Sequence, residues 1–186
     1  MIVGIDEVGR GCLAGPVCVA AVLMPEKFKM KGLADSKKVL RGDRAELVLR
    51  IRKKAQQIAI GWASPSEIDE FNIWKAVQLA AARAISQLDI PSGTLIVVDG
   101  NARMLGEMAA SYVVKADDKY PAVMAASNVA KLARDNYMAK IDHIYEGFNF
   151  ASHVGYGTKK HRESLALLGP TDIHRFSYGP VKEFAV

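Results

Sequence analysis

Four acidic residues, Asp6, Glu7, Asp99 and Asp117, share one property: each lies at or just beyond the C-terminal end of a short apolar run. In open α/β sheets the ligand crevice lies at the strand carboxyl ends. Three such elements side by side would gather four carboxylates. A cluster of that kind repels itself unless cations neutralise it. Hard oxygen ligands favour Mg²⁺ or Mn²⁺ over zinc. Two such ions about 4 Å apart form the clamp used for in-line displacement at phosphorus. Plainer uses fit the same spacing. Asp99-Gly100 reads equally as a turn, and Asp117-Asp118 as the cap of a helix starting near Pro121.

One stereochemical constraint bears on the first pair. Neighbouring residues of a strand point to opposite faces, so a regular strand does not turn Asp6 and Glu7 to one side. Either the strand distorts at Glu7, or Glu7 contributes from the strand end or through its carbonyl. Asp6 is therefore expected to be the central bridging ligand and Glu7 the looser one.

Other groups surround these acids in sequence. Gly9-Arg10-Gly11 lets a ligand approach the backbone closely, because two of the three residues lack a side chain. It reads otherwise as a hairpin connection with an exposed arginine. Ser36, Lys37 and Lys38 form a small basic group. Lys131 and Arg134 are three apart and share a helix face, which suits phosphate contacts or simple solvation. Tyr156 stands between two glycines, where its ring can stack on a sugar or base. His143, His153, His161 and His174 have no ligand spacing and are assigned to core or surface, not metal. Trp62 and Trp74 are assigned to the core.

The elements that must position these groups alternate strand and helix. Ile2 to Val8 and Val17 to Met24 read as an antiparallel pair, with Ile58 to Ala63 as a third strand. Asp43 to Ala55 has helical spacing. Ser64-Pro65-Ser66-Glu67 has the form of a capping box and opens a helix running to about Leu88. A buried strand spans 94–100 and another 111–115. A long helix runs from Pro121 to about Tyr145, and a shorter one from Thr158 to Leu168, ended by Gly169. The pattern is α/β with a mixed sheet: three antiparallel strands, then alternating helices and strands.

The chain has 186 residues, half of them hydrophobic, enough for one domain with a substantial core. Its 25 basic and 20 acidic residues give a net charge of +5, which suits a polyanionic partner without requiring one. Cys12 and Cys18 lack metal-ligand spacing and read as free thiols, which fits the cytosol. No signal peptide is visible, and no run of about 18 apolar residues would span a membrane.

The ordered runs GIDEVGRGCLAGPV (4–17), LADSKKV (33–39), IDEFNIWKA (68–76), VVDGN (97–101), VKADDKYPAVMAASNVAKLARDNYM (114–138), GYGTKKH (155–161) and GPTDIHRFSYGPV (169–181) resemble ribonuclease HII, the type 2 RNase H family, over nearly the whole chain. That resemblance implies an RNase H-like fold, a five-stranded mixed sheet flanked by helices. It implies a single catalytic domain over 1–186, whose C-terminal part, about 142–186, forms a small helical cap over the substrate cleft. The family's four metal-binding carboxylates fall on Asp6, Glu7, Asp99 and Asp117. Its substrate-binding groups fall on Gly9, Arg10, Gly11 and Tyr156, and the matching segments contribute Ser36, Lys37, Lys131 and Arg134. Cys12 stands where Pro is expected, and Ala116 where Gly is usual.

The implied activity is two-metal hydrolysis of the RNA strand of RNA/DNA hybrids, and cleavage on the 5′ side of single ribonucleotides in duplex DNA. A monomer is expected. No sliding-clamp motif follows Val181, so a clamp partner is not expected. The start close to the first strand, and the GRG motif, favour type 2 over the type 3 relatives. Two rivals remain: a DNA-cutting enzyme on the same scaffold, and a non-catalytic hybrid-binding protein. The first is opposed by GRG and Tyr156, the second by the presence of all four acids.

Overall fold

The computed structural model describes every residue except 29, 31, 34, 35, 37, 38, 101–103, 185 and 186. Among the described residues five strands follow in chain order: β1 (Ile2–Val8), β2 (Val17–Met24), β3 (Gln57–Ala63), β4 (Leu95–Asp99) and β5 (Ser111–Val113). They form one sheet in the order β3-β2-β1-β4-β5. β1, β2 and β3 pair antiparallel, whereas β4 and β5 run parallel to β1. The helices are α1 (Arg41–Lys54), α2 (Pro65–Ile85), α3 (Pro121–Ile141), α4 (Phe150–His153), α5 (Lys159–Leu168) and α6 (Gly179–Lys182). The mixed sheet read from the sequence is the one observed.

Strand parity divides the core into two layers. Ile2, Ala20, Val22 and Val97 pack with α1 and α3. Val3, Ile5, Val19, Ala21 and Val98 pack with α2 on the opposite face. β2 is buried along its whole length because helices cover both its faces and strands flank both its edges. At Gly4 a Cβ would stand 2.1 Å from the Ala122 carbonyl carbon, so the glycine lets α3 lie directly on β1. A third apolar cluster joins Leu13 and Ala14 to the end of α3 and to Phe148, Phe150, Leu165 and Val181.

The Ser64 capping box of α2 is present, with both reciprocal bonds made. The helix nevertheless departs from the uninterrupted one expected. Asn72 has φ 69°, and its side-chain oxygen accepts the amides of Trp74 (3.0 Å) and Lys75 (3.2 Å). Asn tolerates the left-handed region and caps well, so the helix breaks there and restarts. Trp74 is consequently half exposed rather than in the core. Trp62 is partly buried and packs its ring 5.6 Å from that of Tyr137. No helix among the described residues is long and apolar enough to cross a membrane.

Candidate active site

A cleft of about 690 Å³ opens at the carboxyl ends of the parallel strands. The register explains why acids meet there. The last parallel pair of β1 and β4 is Ile5↔Val98, so Asp6 and Asp99 are the next residues on adjacent strands. Both continue the face that packs on α3. Glu7 continues the opposite face, towards α2. β1 stays regular through Val8, still paired to β2. No strand distortion brings Glu7 in; the β1–β4 pairing has ended, and both side chains reach the cleft past that edge.

Asp6 is buried, and its Oδ1 accepts the Glu7 amide at 2.8 Å. Burial, then repulsion from Glu7, pushes its carboxyl well above the usual range, against an opposing hydrogen bond from Ser127 on α3. Burial also raises Glu7, although Arg10 Nη1 donates to its Oε1 at 3.0 Å. Asp99 Oδ1 accepts the amides of Ala116 (2.7 Å) and Asp117 (3.4 Å). Asp99 therefore anchors the 3-10 turn Ala116–Asp118 that carries the fourth acid. Asp117 is buried in that turn, and among the described residues it is not part of the cleft wall. Nor does an acid cap α3, whose N-cap residue is Tyr120 with no side-chain bond.

The donor set suits divalent cations: carboxylates alone, mutually repelling, with two of them raised. Among the described residues no three of His, Cys, Asp and Glu stand grouped to hold an ion. Asp6 and Asp99 each have an oxygen on backbone amides, and Glu7 has one on Arg10.

The Gly9-Arg10-Gly11 loop lines the same cleft and is held from below. Arg175, fully buried, donates from Nη2 to Gly9 O (2.6 Å), from Nη1 to Arg10 O (2.8 Å) and from Nε to Gly15 O (3.0 Å). Tyr178 adds its hydroxyl to Arg10 O at 2.6 Å. Gly9 has φ +93°, and a Cβ on it would lie 2.2 Å from Arg134 Nε. Around Gly11 a Cβ would meet nothing within 4 Å, so the fold does not require that glycine. The Arg10 guanidinium lies 4.2 Å over the Trp74 ring.

The remaining expectations divide. Tyr156 and Lys131 line the cleft. Ser36 does too; its hydroxyl accepts from Ser127 (2.9 Å), and Arg44 holds its carbonyl (2.8 Å). Lys37 lies outside the described residues. Arg134 does not fit a phosphate contact: it is fully buried and donates to Pro16 O, Val154 O and Ala14 O at 2.8–3.0 Å. One helical turn separates it from Lys131, but its side chain runs under the loop instead of into the cleft. Arg175, Tyr178 and Ser127 were not picked out from sequence, and Trp74 was assigned to the core rather than to the cleft it lines. Arg175 lies in a matched motif, yet nothing in the sequence distinguishes a buried arginine from an exposed one.

Cys12 replaces the expected proline without loosening the loop. It is buried, its amide donates to Gly9 O (3.4 Å), and it bridges to Tyr156. A proline would lack that donor. Ala116 sits in the α3-side core, so its methyl is accommodated by packing.

A five-stranded mixed sheet covered by helices on both faces, with acids at the ends of its parallel strands, defines an RNase H-like α/β enzyme. Residues 3–181 match the family model for ribonuclease HII. The chain belongs to the ribonuclease HII family and is a metal-dependent ribonuclease H hydrolase. Among solved structures it is similar to the ribonuclease HII of a PCNA complex from Archaeoglobus fulgidus. That match has 30% identity and TM-score 0.79, covering 96% of this chain and 95% of that one. It is also similar to ribonuclease H2 from Pyrococcus horikoshii OT3, at 25% identity and TM-score 0.77 over 98% and 96% of the chains. Bst RNase HIII in complex with Mn²⁺ shares the fold at 15% identity and TM-score 0.72, covering 98% of this chain and 68% of that one.

Proposed function

We propose that this enzyme hydrolyses the RNA strand of RNA/DNA hybrids and cuts on the 5′ side of single ribonucleotides in duplex DNA, leaving 5′-phosphate and 3′-hydroxyl ends. The observation that carries this reading is the sharing of one cleft by Asp6, Glu7 and Asp99 with Gly9-Arg10-Gly11 and Tyr156. Asp6, Glu7, Asp99 and Asp117 would hold two Mg²⁺ or Mn²⁺ ions, whose chemistry there is to acidify a water and to offset charge on the departing 3′ oxygen.

The chain's own residues supply recognition. Arg175 and Tyr178 occupy the Gly9 and Arg10 carbonyls, while the loop amides of Arg10 and Gly11 have no partner among the described residues. Those amides remain for a ribose hydroxyl, and the open space at Gly11 lets the sugar come close. Tyr156 offers a half-exposed ring for stacking, and Lys131 a cation for phosphate. The segment 142–186 brings Tyr156 to the cleft wall and serves as the cap on the bound duplex.

The bond cut joins a deoxynucleotide 3′ oxygen to the phosphate of the ribonucleotide. The sugar bearing that oxygen has no 2′-OH, so the substrate supplies no nucleophile of its own and water must attack. A site built to bond a hydroxyl discriminates against its absence by on the order of 10⁴-fold. End-mapping on a duplex with one ribonucleotide, with and without Mg²⁺, tests this. The expected products keep the ribonucleotide on the downstream fragment. Cuts on its 3′ side or cyclic phosphate ends would overturn the mechanism, and equal cutting of all-DNA duplex would remove the role given to the loop.

A further inference from the structure

Behind Tyr156 lies a group of three buried histidines that the reading above does not use. His161 and His174 are completely inaccessible, and His153 nearly so. Their rings stack or tilt against one another at 4.6–5.3 Å, among Phe148 and Phe150. The hydrogen bonds fix which ring nitrogen carries each proton. The Tyr156 carbonyl can only accept, so His161 Nδ1, at 2.9 Å, bears hydrogen. His161 Nε2 is then a lone pair. His174 Nδ1 accepts the Thr171 amide at 3.0 Å, so its hydrogen is on Nε2. The two Nε2 atoms are 3.1 Å apart, and His174 donates to His161. The order runs in one direction: Thr171 amide, His174, His161, Tyr156 carbonyl.

The peptide this order ends on is held on every side. The Gly155 amide donates to His153 Nδ1 (3.2 Å), and the Tyr156 amide to His153 O (2.9 Å). The Tyr156 carbonyl takes a second bond from the Thr158 amide at 2.8 Å. Just before it, Val154 sits at φ 47°, a conformation that a β-branched residue adopts only where its surroundings enforce it. Arg134 holds the Val154 carbonyl at 2.8 Å. Backbone strain at Val154 thus lies two residues before the converging bonds on Tyr156, which presents its ring to the cleft.

We propose that His161, oriented by His174, is a positioning residue that fixes the main chain at Tyr156 and so aims the Tyr156 ring at the substrate sugar. The proposal rests on the reading of Tyr156 as a substrate-contacting residue. A change of tautomer in either histidine would place two hydrogens or two lone pairs face to face, so the pair has one stable arrangement. Both rings are neutral at the pH of the assay, since burial lowers each to about 4.

The test is a double-mutant cycle on kcat/KM for a duplex with one ribonucleotide. His161→Phe keeps the aromatic volume and removes the donor. It is expected to lower kcat/KM by about tenfold, chiefly through KM, the loss appropriate to one buried hydrogen bond. His161→Asn puts an amide hydrogen near the former Nδ1 and should recover most of that loss. In a Tyr156→Ala background, His161→Phe should change the rate by less than about twofold, because the ring it positions is gone. Ring ¹⁵N spectra of the unaltered protein should find hydrogen on His161 Nδ1 and His174 Nε2, a readout that stands even where the Phe variant does not fold. Additive losses, or the opposite tautomers, overturn the proposal. An impaired Tyr156→Ala beside an unimpaired His161→Phe overturns it alone, whereas an unimpaired Tyr156→Ala overturns the reading of Tyr156 and the proposal with it.

Discussion

Asp6 is the residue on which function and stability pull hardest in opposite directions. It is buried beside two other carboxylates, and its ionised form is disfavoured first by burial and then by Glu7. A carboxyl raised in the folded state binds its proton more tightly there than in the unfolded chain. At neutral pH the ionised site therefore weakens the fold. Asp6→Asn removes that charge at nearly constant shape. It should abolish activity by at least about 10²-fold yet raise stability by about 1 kcal/mol, as judged by urea unfolding without metal. Added Mg²⁺ should raise the melting temperature of the unaltered protein and do so less for the variant. Near-normal turnover by Asp6→Asn would remove it from the mechanism. At this scale the sequence was most informative for the placement of Asp6, Glu7 and Asp99, which stand at strand ends on the cleft, and less so for Asp117, which lies buried in the turn after β5. It was least informative for Arg134 and Trp74. A three-residue helical spacing does not say which of two cations turns inward, and an Asn inside a helical pattern gives little warning that the helix restarts and exposes the tryptophan.

The loop Gly9 to Pro16 is the element that decides recognition, and long-range contacts hold it where a hairpin turn would hold itself. Its carbonyls at Gly9, Arg10 and Gly15 all accept from Arg175, more than 150 residues away in the chain. The Leu13 and Gly15 amides donate to Gly155 O and Ile173 O at 2.8 Å. The sequence therefore supports the antiparallel pair on either side of the loop, since that depends on local alternation and β-branching. It does not disclose the fork of guanidinium bonds, which depends on tertiary packing. Arg175→Lys retains a charge but lacks the planar fork, so it cannot satisfy three carbonyls at once. The variant should lose roughly 2–4 kcal/mol of stability, because buried carbonyls are left unpaired. Its preference for a ribonucleotide-containing duplex over all-DNA should fall with it. Urea unfolding and paired cleavage assays measure the two effects. Full discrimination in a folded Arg175→Lys would show that the loop holds its shape without the clamp.

At the scale of the whole molecule, the mixed α/β sheet was legible because short apolar runs and helical spacings alternate along the chain, whereas the strand order depends on tertiary pairing that no local pattern reports. The third cluster was not legible either, because it is built from short helices and buried histidines rather than from periodic apolar residues. That cluster gives the fold a distinctive response to acid. His161 and His174 are each lowered to about 4 by burial, with repulsion from the other histidines adding to it and Asp172 opposing it at His174. An unfolded histidine titrates near 6.5. As pH falls through about 6.5 the unfolded chain gains protons that the folded rings refuse, and stability drops. The loss continues until about pH 4, where the folded rings protonate as well, and then stops. Below that point the hydrogen-bond order is broken, since His161 and His174 would present two hydrogens to each other. The raised carboxyls of Asp6 and Glu7 act with the opposite sign, gaining stability as they protonate. The histidine contribution is therefore read as a difference between proteins. Melting temperatures from pH 7 to pH 4 should fall more steeply for the unaltered enzyme than for a His161→Asn, His174→Asn double variant, which carries neither titrating ring. Parallel curves across that range would mean that the buried histidines titrate normally and that the cluster is not held neutral by its packing.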